Sequence, residues 1–308
     1  MESGLPDLLP YVVVLAGPTA SGKTRLAIEV ALRAGGEIVN ADSQQVYRGL
    51  DVGTAKPGAG DRASIPHHLL DLVDPGEGMD AARWVTLADA AIADVAARGR
   101  LPIVVGGTGL YVRALLHGVV DAPGRDPALR PRLEEEASVQ GRAALHRRLA
   151  QVDPGAAARI RENDLVRIVR ALEIAAGGRT QTELFEAHRF APRRYRYRLL
   201  AIDVPREELH RRIGERAAAI ARGGIVEEAR RLMERFGESQ PRLPIGYADA
   251  MACARGEIGL EELAARIALL HRRYARRQVI WLRREQDVEW LPPPFDPDAL
   301  ARALRSAP

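Results

Sequence analysis

Cysteine, lysine and long apolar runs are scarce in this chain of 308 residues. Cys253 is the only cysteine, which excludes an internal disulfide framework and a zinc site built from several cysteines. No apolar run approaches the roughly 20 residues that a membrane-spanning helix needs, and the N-terminus lacks the basic, then apolar, then small-residue pattern of an export signal. We therefore expect a cytoplasmic protein that has no membrane partner.

Lysine is nearly absent although cations are abundant. Of the 45 lysines and arginines only Lys23 and Lys56 are lysines, which leaves 43 arginines. A compact ammonium fits inside a loop that wraps around phosphate, whereas a planar guanidinium does not. The position of Lys23 is therefore informative about function.

Lys23 lies in a glycine-containing stretch with the spacing of a phosphate-binding P-loop, G-x-x-x-x-G-K-T. An apolar run precedes it and a helix-compatible segment follows, so backbone N–H groups and a helix N-terminus would converge on an anion. Lys23 would neutralise phosphate oxygens, and the hydroxyl of Thr24 could bind a phosphate-bound Mg²⁺. The predicted phosphate-binding residues are Gly17, Pro18, Thr19, Ala20, Ser21, Gly22, Lys23 and Thr24.

Strand-like and helix-like segments alternate along most of the chain. This pattern predicts an α/β fold, a P-loop nucleotide-kinase-like core whose parallel sheet is covered on both faces. Ligands of such sheets bind beyond the carboxyl ends of the strands, where the P-loop, Asp42 and the turn at 106–109 all fall. The predicted strands are Tyr11–Ala16, Glu37–Ala41, Leu101–Val105, Arg198–Val204 and, at an edge, Val288–Leu291; the predicted helices are Lys23–Ala34, Ala81–Arg98 and Leu110–Leu116.

The pattern changes after a linker at 121–127, because no strand candidate follows before Tyr197. Helices are predicted at Leu129–Leu149, Gly155–Arg161 and Asp164–Ala176. We therefore expect an all-helical insertion domain at 121–194, inserted in a catalytic core formed by residues 1–120 and 195–308.

Two strand ends carry candidate site residues, each with an ordinary structural alternative. Asp42 could accept a proton or orient a metal, or it could cap the next turn. The strand at 101–105 ends in Gly106-Gly107-Thr108-Gly109 without the carboxylate of many P-loop ATPases, which argues against a nucleotide-driven motor. Thr108 lies near the expected phosphates, although a simple tight turn is also possible.

Histidines and arginines suggest further contacts. His67 and His68 are adjacent, so on an extended segment they point to opposite sides, and a structural or substrate-facing role is favoured over metal binding. Arg167 and Arg170 share a helix face and could bind phosphate or solvent. Four arginines near the C-terminus fall on one line of a predicted helix: Arg266, Arg273, Arg277 and Arg284. They lie beside an apolar stripe formed by Ile267, Leu270, Tyr274 and Trp281. This line could bind a nucleic acid, or it could pair with Glu262 and Glu285.

Taken together, these motifs resemble those of the bacterial tRNA dimethylallyltransferases. The resemblance spans nearly the whole chain in consistent order. It rests on GPTASGKT at 17–24, ADSQQVYRGLDVGTAKP at 41–57, IPHHLLD at 65–71, GGTGLYVRALLHG at 106–118, NDLVRIVRALEI at 163–174 and ARRQVIWLRRE at 275–285. Ala248 departs from the family pattern, in which a basic residue is common after Ile-Gly-Tyr.

The resemblance implies transfer of a dimethylallyl group from dimethylallyl diphosphate to the N6 amine of adenosine 37 in tRNA. It implies that Asp42 is the general base, that Lys23, Thr108 and Arg216 stabilise the departing diphosphate, and that Mg²⁺ binds at Thr24. The insertion would hold the anticodon stem-loop, and we expect a monomer. The implied tRNA contacts are Asp42, Ser43, Gln44, Gln45, Thr108, Arg130, Val166, Arg167, Ile168, Val169, Arg170, Gly246 and Tyr247.

Two alternatives remain at this point. A P-loop kinase for a small metabolite would share the sheet and the loop, but would have less need of the insertion and the line of arginines. A non-catalytic RNA-binding protein would not depend on Asp42 for any measurable function.

Overall fold

A computed structural model describes residues 10–120, 122–124, 126–188, 193–237 and 243–305 of the chain. Residues 121 and 125 of the expected linker lie outside the described residues. The chain forms two compact units: Met1–Leu116 with Arg194–Pro308, and His117–Arg193. The second unit therefore begins at His117, where 121 was expected, and ends at Arg193, where 194 was expected.

The first unit contains a six-stranded sheet in the order β3-β2-β4-β1-β5-β6, in which every neighbouring pair is parallel. Val14 at its centre pairs with Val104 on one side and Leu199 on the other. The predicted α/β class and parallel sheet are confirmed. The strands are β1 (Tyr11–Ala16), β2 (Gly36–Asn40), β3 (His67–His68), β4 (Leu101–Gly106), β5 (Arg196–Ile202) and β6 (Val288–Leu291).

Several strand bounds differ from the sequence prediction by one or two residues, and one strand was not predicted. Strand β5 ends at Ile202, so Asp203 and Val204 belong to the following loop. Strand β3 has only two residues, which is too short to produce an alternating or apolar pattern. Sequence reasoning therefore could not find it.

Helices cover both faces of the sheet, which explains why its strands are apolar on both sides. Val13 and Leu15 pack in one cluster with α1 and α10, whereas Val12 and Val14 pack in another with α3 and α4. The helices of this unit are α1 (Lys23–Ala34), α2 (Ala59–Ser64), α3 (Ala81–Ala97), α4 (Gly109–His117), α10 (Arg206–Arg222), α11 (Ile225–Phe236), α12 (Tyr247–Ala254), α13 (Leu260–Leu282) and α14 (Pro297–Arg305).

The described residues of the second unit are helical wherever they are regular, and they pack around their own core, which includes Leu133, Leu145, Leu149 and Ile168. The expected helix 129–149 is two helices, because Gly141 adopts a φ of 83° that interrupts it. Its helices are α5 (Leu129–Gln140), α6 (Arg142–Val152), α7 (Pro154–Arg159), α8 (Leu165–Ala176) and α9 (Gln181–His188).

Side-chain caps fix the helix ends of the second unit. Asp153 accepts a hydrogen bond from the N–H of Ala156 at the start of α7 and another from the N–H of Thr182 in α9. Asp164 does the same for Arg167 in α8. Among the described residues, no helix is both long and apolar enough to cross a membrane.

Candidate functional site

The P-loop joins the end of β1 to α1, and Lys23 is the first residue of that helix. Gly22, the residue before it, has a φ of 92°, a left-handed conformation that favours glycine. This conformation starts the helix directly after the turn, which places the helix N-terminus and its free N–H groups at the loop.

A glutamine from α13 supports the loop. Gln278, which is buried, accepts a hydrogen bond from the N–H of Thr19 (2.8 Å) and donates one to the carbonyl of Gly107 (2.9 Å). One amide thus ties the P-loop to the turn after β4. Sequence reasoning did not single out Gln278, although it lies in the motif at 275–285.

The side chain of Lys23 is buried beside the loop. Its Nζ donates a hydrogen bond to the carbonyl of Pro18 at 3.3 Å, and it has no ion pair with any described residue. Burial lowers the pKa of Lys23 to about 8; Asp42 opposes this shift and Arg216 reinforces it. The nearby carboxylate of Asp42 therefore offsets the charge of the ammonium only in part, without a direct ion pair between them.

Arg216 is a second buried cation at the same site. Burial lowers its pKa, and the nearby charge of Asp42 opposes that shift. The Nε of Arg216 and the hydroxyl of Ser21 are buried without a hydrogen-bond partner among the described residues. Because buried polar groups are normally paired, two buried cations and two unpartnered groups indicate that a bound anion completes this site.

His271 of α13 contributes to the surroundings of Arg216. The imidazole is buried, and burial together with the positive charge of Arg216 lowers the pKa of His271 to about 4. At neutral pH His271 is therefore uncharged and adds no further positive charge beside Arg216.

A small cavity of about 30 Å³ brings the predicted groups together at the carboxyl ends of the strands. Lys23, Thr24, Asp42 and Arg216 all line it, although they come from three separate parts of the chain. The cavity is lined by Thr19, Lys23, Thr24, Ile38, Asn40, Asp42, Gln45, Pro57, His67, Leu70, Val105, Gly106 and Arg216.

Asp42 has the capping contact considered from the sequence and also lies at the cavity. One carboxylate oxygen accepts a hydrogen bond from the N–H of Gln44 at 2.9 Å, which is the capping role. The same residue lines the cavity with the two buried cations. Capping fixes the carboxylate in place, so it does not exclude proton transfer.

Thr108 connects the turn after β4 to the segment that follows Asp42. Its hydroxyl accepts a hydrogen bond from the N–H of Ser43 (2.9 Å) and donates one to the Ser43 hydroxyl (3.1 Å). Thr108 is not among the residues that line the cavity, and its contact with diphosphate stays a prediction.

The two glutamines after Asp42 make internal contacts. Gln44 accepts a hydrogen bond from the N–H of Ile245 at 2.9 Å, and Gln45 donates to the carbonyls of Thr54 and Ala55. Gly246, with a φ of 92°, begins α12, and Tyr247 is fully buried. The segment at 42–45 and the segment at 245–247 are therefore in direct contact.

The protein offers few ligands for a metal. Thr24 and Asp42 supply oxygen atoms at the cavity, and the described residues contain no group of three or more His, Cys, Asp or Glu side chains that could hold a metal ion. Mg²⁺ prefers oxygen ligands and keeps several waters or phosphate oxygens, so the donor set fits a Mg²⁺ ion that arrives with a diphosphate.

The two histidines have separate partners, in agreement with the expectation from the sequence. His68 hydrogen-bonds through Nε2 to Glu37 (2.8 Å), and His67 bonds through Nδ1 to the carbonyl of Ile65 (2.9 Å). They share no ligand position, and only His67 lines the cavity.

The predicted tRNA-contacting residues of the second unit differ in exposure. The Arg167 side chain is 72% exposed and Val166 is also exposed, but Ile168 and Val169 are buried in the core of the unit. Arg130 forms a bidentate pair with the buried Glu173, and Arg170 donates to the carbonyls of Pro123 and Gly124. The side chains available to a partner are thus chiefly Val166 and Arg167.

The predicted line of arginines on α13 is exposed, and the alternative of pairing is only partly realised. Arg266 pairs with Glu262 and Asp249. Glu285 pairs with Arg113 of α4, not with the line. The remaining arginines, Arg273, Arg277 and Arg284, form no ion pair with a described residue, and Arg277 lies over the ring of Tyr274 at 5.5 Å.

Comparison with known proteins identifies families and relatives that cover most of the chain. The family described as IPP transferase matches residues 45–285, and the family described as isopentenyl transferase matches residues 10–70. A tRNA dimethylallyltransferase of Anaeromyxobacter dehalogenans is 70% identical over 95% of this chain and 98% of its own. One from Myxococcus xanthus is 50% identical over 93% of this chain and 94% of its own.

Solved structures agree with these sequence comparisons. The tRNA isopentenylpyrophosphate transferase of Bacillus halodurans is similar with a TM-score of 0.68 and 35% identity, covering 96% of this chain and 94% of that one. A eukaryotic dimethylallyltransferase acting on tRNA is similar with a TM-score of 0.78 and 27% identity, covering 96% of this chain and 78% of that one.

Proposed function

The chain belongs to the IPP transferase family, the tRNA dimethylallyltransferases, and is an enzyme that transfers a dimethylallyl group to tRNA; on this premise we propose the acceptor, the residue roles and the metal. The proposed acceptor is the N6 amine of adenosine 37, beside the anticodon, and the donor is dimethylallyl diphosphate. The kinase alternative is not favoured.

The observation that carries the proposal is a pair of buried cations, Lys23 and Arg216, that form no ion pair with a described residue and share one cavity with a single carboxylate, that of Asp42. A diphosphate group would supply the missing negative charge. Fixed cations at a developing anion stabilise the transition state without reorganisation, so both residues would assist departure of diphosphate. The P-loop residues Gly17 to Thr24 would surround that diphosphate.

Asp42 is the proposed general base. The N6 lone pair attacks the C1 carbon of the donor, the C1–O bond breaks, and diphosphate leaves with the electron pair. One N6 proton passes to the Asp42 carboxylate, which gives the N6-substituted adenosine. A base stacked in a loop could not reach the cavity, so we expect adenosine 37 to be flipped out.

Mg²⁺ is the proposed cofactor, held by the Thr24 hydroxyl and by diphosphate oxygens. When bound, it would neutralise charge on the leaving group. The support is the oxygen atoms that Thr24 and Asp42 offer at the cavity and the family's use of a diphosphate donor.

Several surfaces are proposed to contact the anticodon stem-loop. In the first unit these are Asp42 to Gln45, Thr108, the segment at Gly246 and Tyr247, and the exposed arginines of α13. In the second unit Val166 and Arg167 offer exposed side chains, with Arg130, Ile168, Val169 and Arg170 as their supports. The tRNA substrate favours a cytoplasmic location, and we propose that the enzyme acts as a monomer.

The test is a reaction of the protein with Mg²⁺, dimethylallyl diphosphate and unmodified tRNA, followed by mass spectrometry of the nucleosides. We expect one adenosine per tRNA to gain a dimethylallyl group. Asp42→Asn should lower kcat by about 10²–10⁴-fold, the usual contribution of a general base, while Asp298→Asn, at an exposed ion pair with Arg33, should not. Full activity of Asp42→Asn would remove Asp42 from its role.

A further inference from the structure

Glu228 in the first turn of α11 is a buried acid that the proposed chemistry does not use. The residue is 4% exposed and forms no ion pair with any described residue. A buried carboxylate without a cation is costly unless several donors satisfy it. Its partners therefore show what it holds in place.

Three of these partners are consecutive backbone N–H groups. One oxygen of Glu228 accepts from Asp51 and Val52, both at 2.8 Å, and the other accepts from Gly53 at 3.1 Å. Successive N–H groups that converge in this way form an anion-binding concavity. In this protein the anion that fills it is a side chain of the same chain, 175 to 177 residues away.

The fourth partner is the hydroxyl of Tyr247, which donates to Glu228 at 2.6 Å. Tyr247 is fully buried, and burial followed by the negative charge of Glu228 raises its pKa. The carboxylate thus joins α12 to the turn at 51–53, and all four of its hydrogen bonds come from these two segments.

The turn that Glu228 holds also contacts Gln45, in the segment after Asp42. Directly after Gly53, the carbonyls of Thr54 and Ala55 accept hydrogen bonds from the side chain of Gln45 at 3.3 and 3.1 Å. Within the turn, the N–H of Ala55 donates to Val52 (3.0 Å). The backbone therefore presents its N–H groups to Glu228 and its carbonyls to Gln45.

We propose that Glu228 is a positioning residue for the tRNA-acceptor side of the site. It holds the turn at 51–55 against Gln45 and holds Tyr247 against the same turn, so that the segments at 42–45 and 245–247 are fixed before RNA binds. This inference rests on the proposed contact of those two segments with tRNA. The P-loop makes none of these hydrogen bonds, so diphosphate binding should be independent of Glu228.

The test compares Glu228→Gln with Glu227→Gln. Glutamine has the same shape, but its single carbonyl oxygen cannot accept four hydrogen bonds, and its NH₂ faces other donors. Glu227 is the adjacent exposed acid, paired only with Arg230 among the described residues. We expect Glu228→Gln to lower kcat/KM for tRNA about tenfold or more. The KM for dimethylallyl diphosphate and the Kd for inorganic pyrophosphate should stay within about twofold.

Two further measurements test the positioning role of Glu228 if Glu228→Gln folds poorly. Tyr247→Phe removes one of the four donors and should lower kcat/KM for tRNA by about threefold to fivefold, again without affecting pyrophosphate. Hydrogen exchange of Glu228→Gln should show lost protection of the amides at 51–53.

Unchanged tRNA kinetics in both variants would overturn the proposal, as would equal losses of tRNA and pyrophosphate affinity, which a general loss of folding would produce. If the unmodified protein failed to modify tRNA, the proposed function would fall. The exchange at 51–53 would still decide whether Glu228 holds the turn.

Discussion

The regions around the two lysines are alike in burial and opposite in electrostatics. Lys56, whose side chain is 1% exposed, donates to Asp51 (2.7 Å), to Asp71 (2.5 Å) and to the carbonyl of Tyr47 (2.5 Å). Lys23 donates only to the carbonyl of Pro18 among the described residues. One ammonium is fully satisfied by the protein, whereas the other is not.

This difference separates a structural charge from a functional one. A buried charge with protein partners stabilises the arrangement of those partners, while a buried charge without them stabilises whatever ligand supplies the opposite charge. Lys56 links the segment at 47–51 to the turn at Asp71. Lys23 and Arg216 are instead the cations that we propose bind the diphosphate.

Replacing each lysine by methionine is the most direct test of this difference between Lys23 and Lys56. Lys23→Met should lower kcat by about 10²–10³-fold, because it removes a fixed charge from the leaving group. Lys56→Met, assayed at a temperature at which it is folded, should lower kcat less than about tenfold. Equal losses in the two variants, measured as initial rates of tRNA modification, would contradict the distinction.

The pH dependence of stability tests the same contrast in the absence of ligand. The pKa of Lys23 is about 8 when folded and 10.5 in the reference state, so between these values the unfolded chain binds more protons and stability rises with pH. Below pH 8 we expect Lys23→Met to be more stable than the unmodified protein by about 2–3 kcal/mol.

That advantage should shrink as the pH rises from about 8 to about 10.5, because Lys23 then loses its proton in the folded state while the unfolded chain still holds it. Denaturant unfolding of both proteins across this window measures the difference. A constant difference across the window would show that Lys23 does not titrate there.

Lys56→Met should instead destabilise the protein. Its loss leaves Asp71 with Arg62 alone and Asp51 without a cation among the described residues. Because both carboxylates are partly exposed and can be rehydrated, we expect a loss of only about 1–2 kcal/mol in the free energy of unfolding. An increase in stability would place Lys56 in the same class as Lys23.

The smallest expected effect extends the comparison to the second unit. There the Arg167 side chain is 72% exposed and lies 3.6 Å from Asp164, while that of Arg148 is 49% exposed and pairs with Glu136 at 2.9 Å. Arg167→Ala should weaken tRNA binding by about 1 kcal/mol and reduce the dependence of affinity on salt, because one phosphate contact is lost. Arg148→Ala is the matched control. Filter binding at several salt concentrations would show whether the two variants differ.

Local pattern explains what could be predicted from the sequence. Features that depend on neighbouring residues were predicted and are present in the structure. They are the P-loop, the alternation of strands and helices, and the helical character of the insertion. Smaller features were harder to predict from the sequence. Gly141 divides a predicted helix, and β3 is too short to produce a pattern.

The supports of the site could not be predicted, because they join distant parts of the chain. Gln278 reaches Thr19 across 259 residues, and Glu228 reaches Asp51 across 177. Neither Gln278 nor Glu228 stands out in the sequence, because a glutamine or glutamate on an amphipathic helix is ordinarily solvated. Only the packing of α11 and α13 against the loops gives these two side chains a role.

The sequence by itself determined the family, the phosphate-binding loop and five of the six strands, because each is encoded in contiguous residues. Tertiary structure alone decided which of the two lysines is left without an ion pair among the described residues, since burial and charge compensation depend on groups that the fold brings together. It also decided that Asp42 shares a cavity with Lys23 and Arg216, because parallel strands end at the same edge of the sheet.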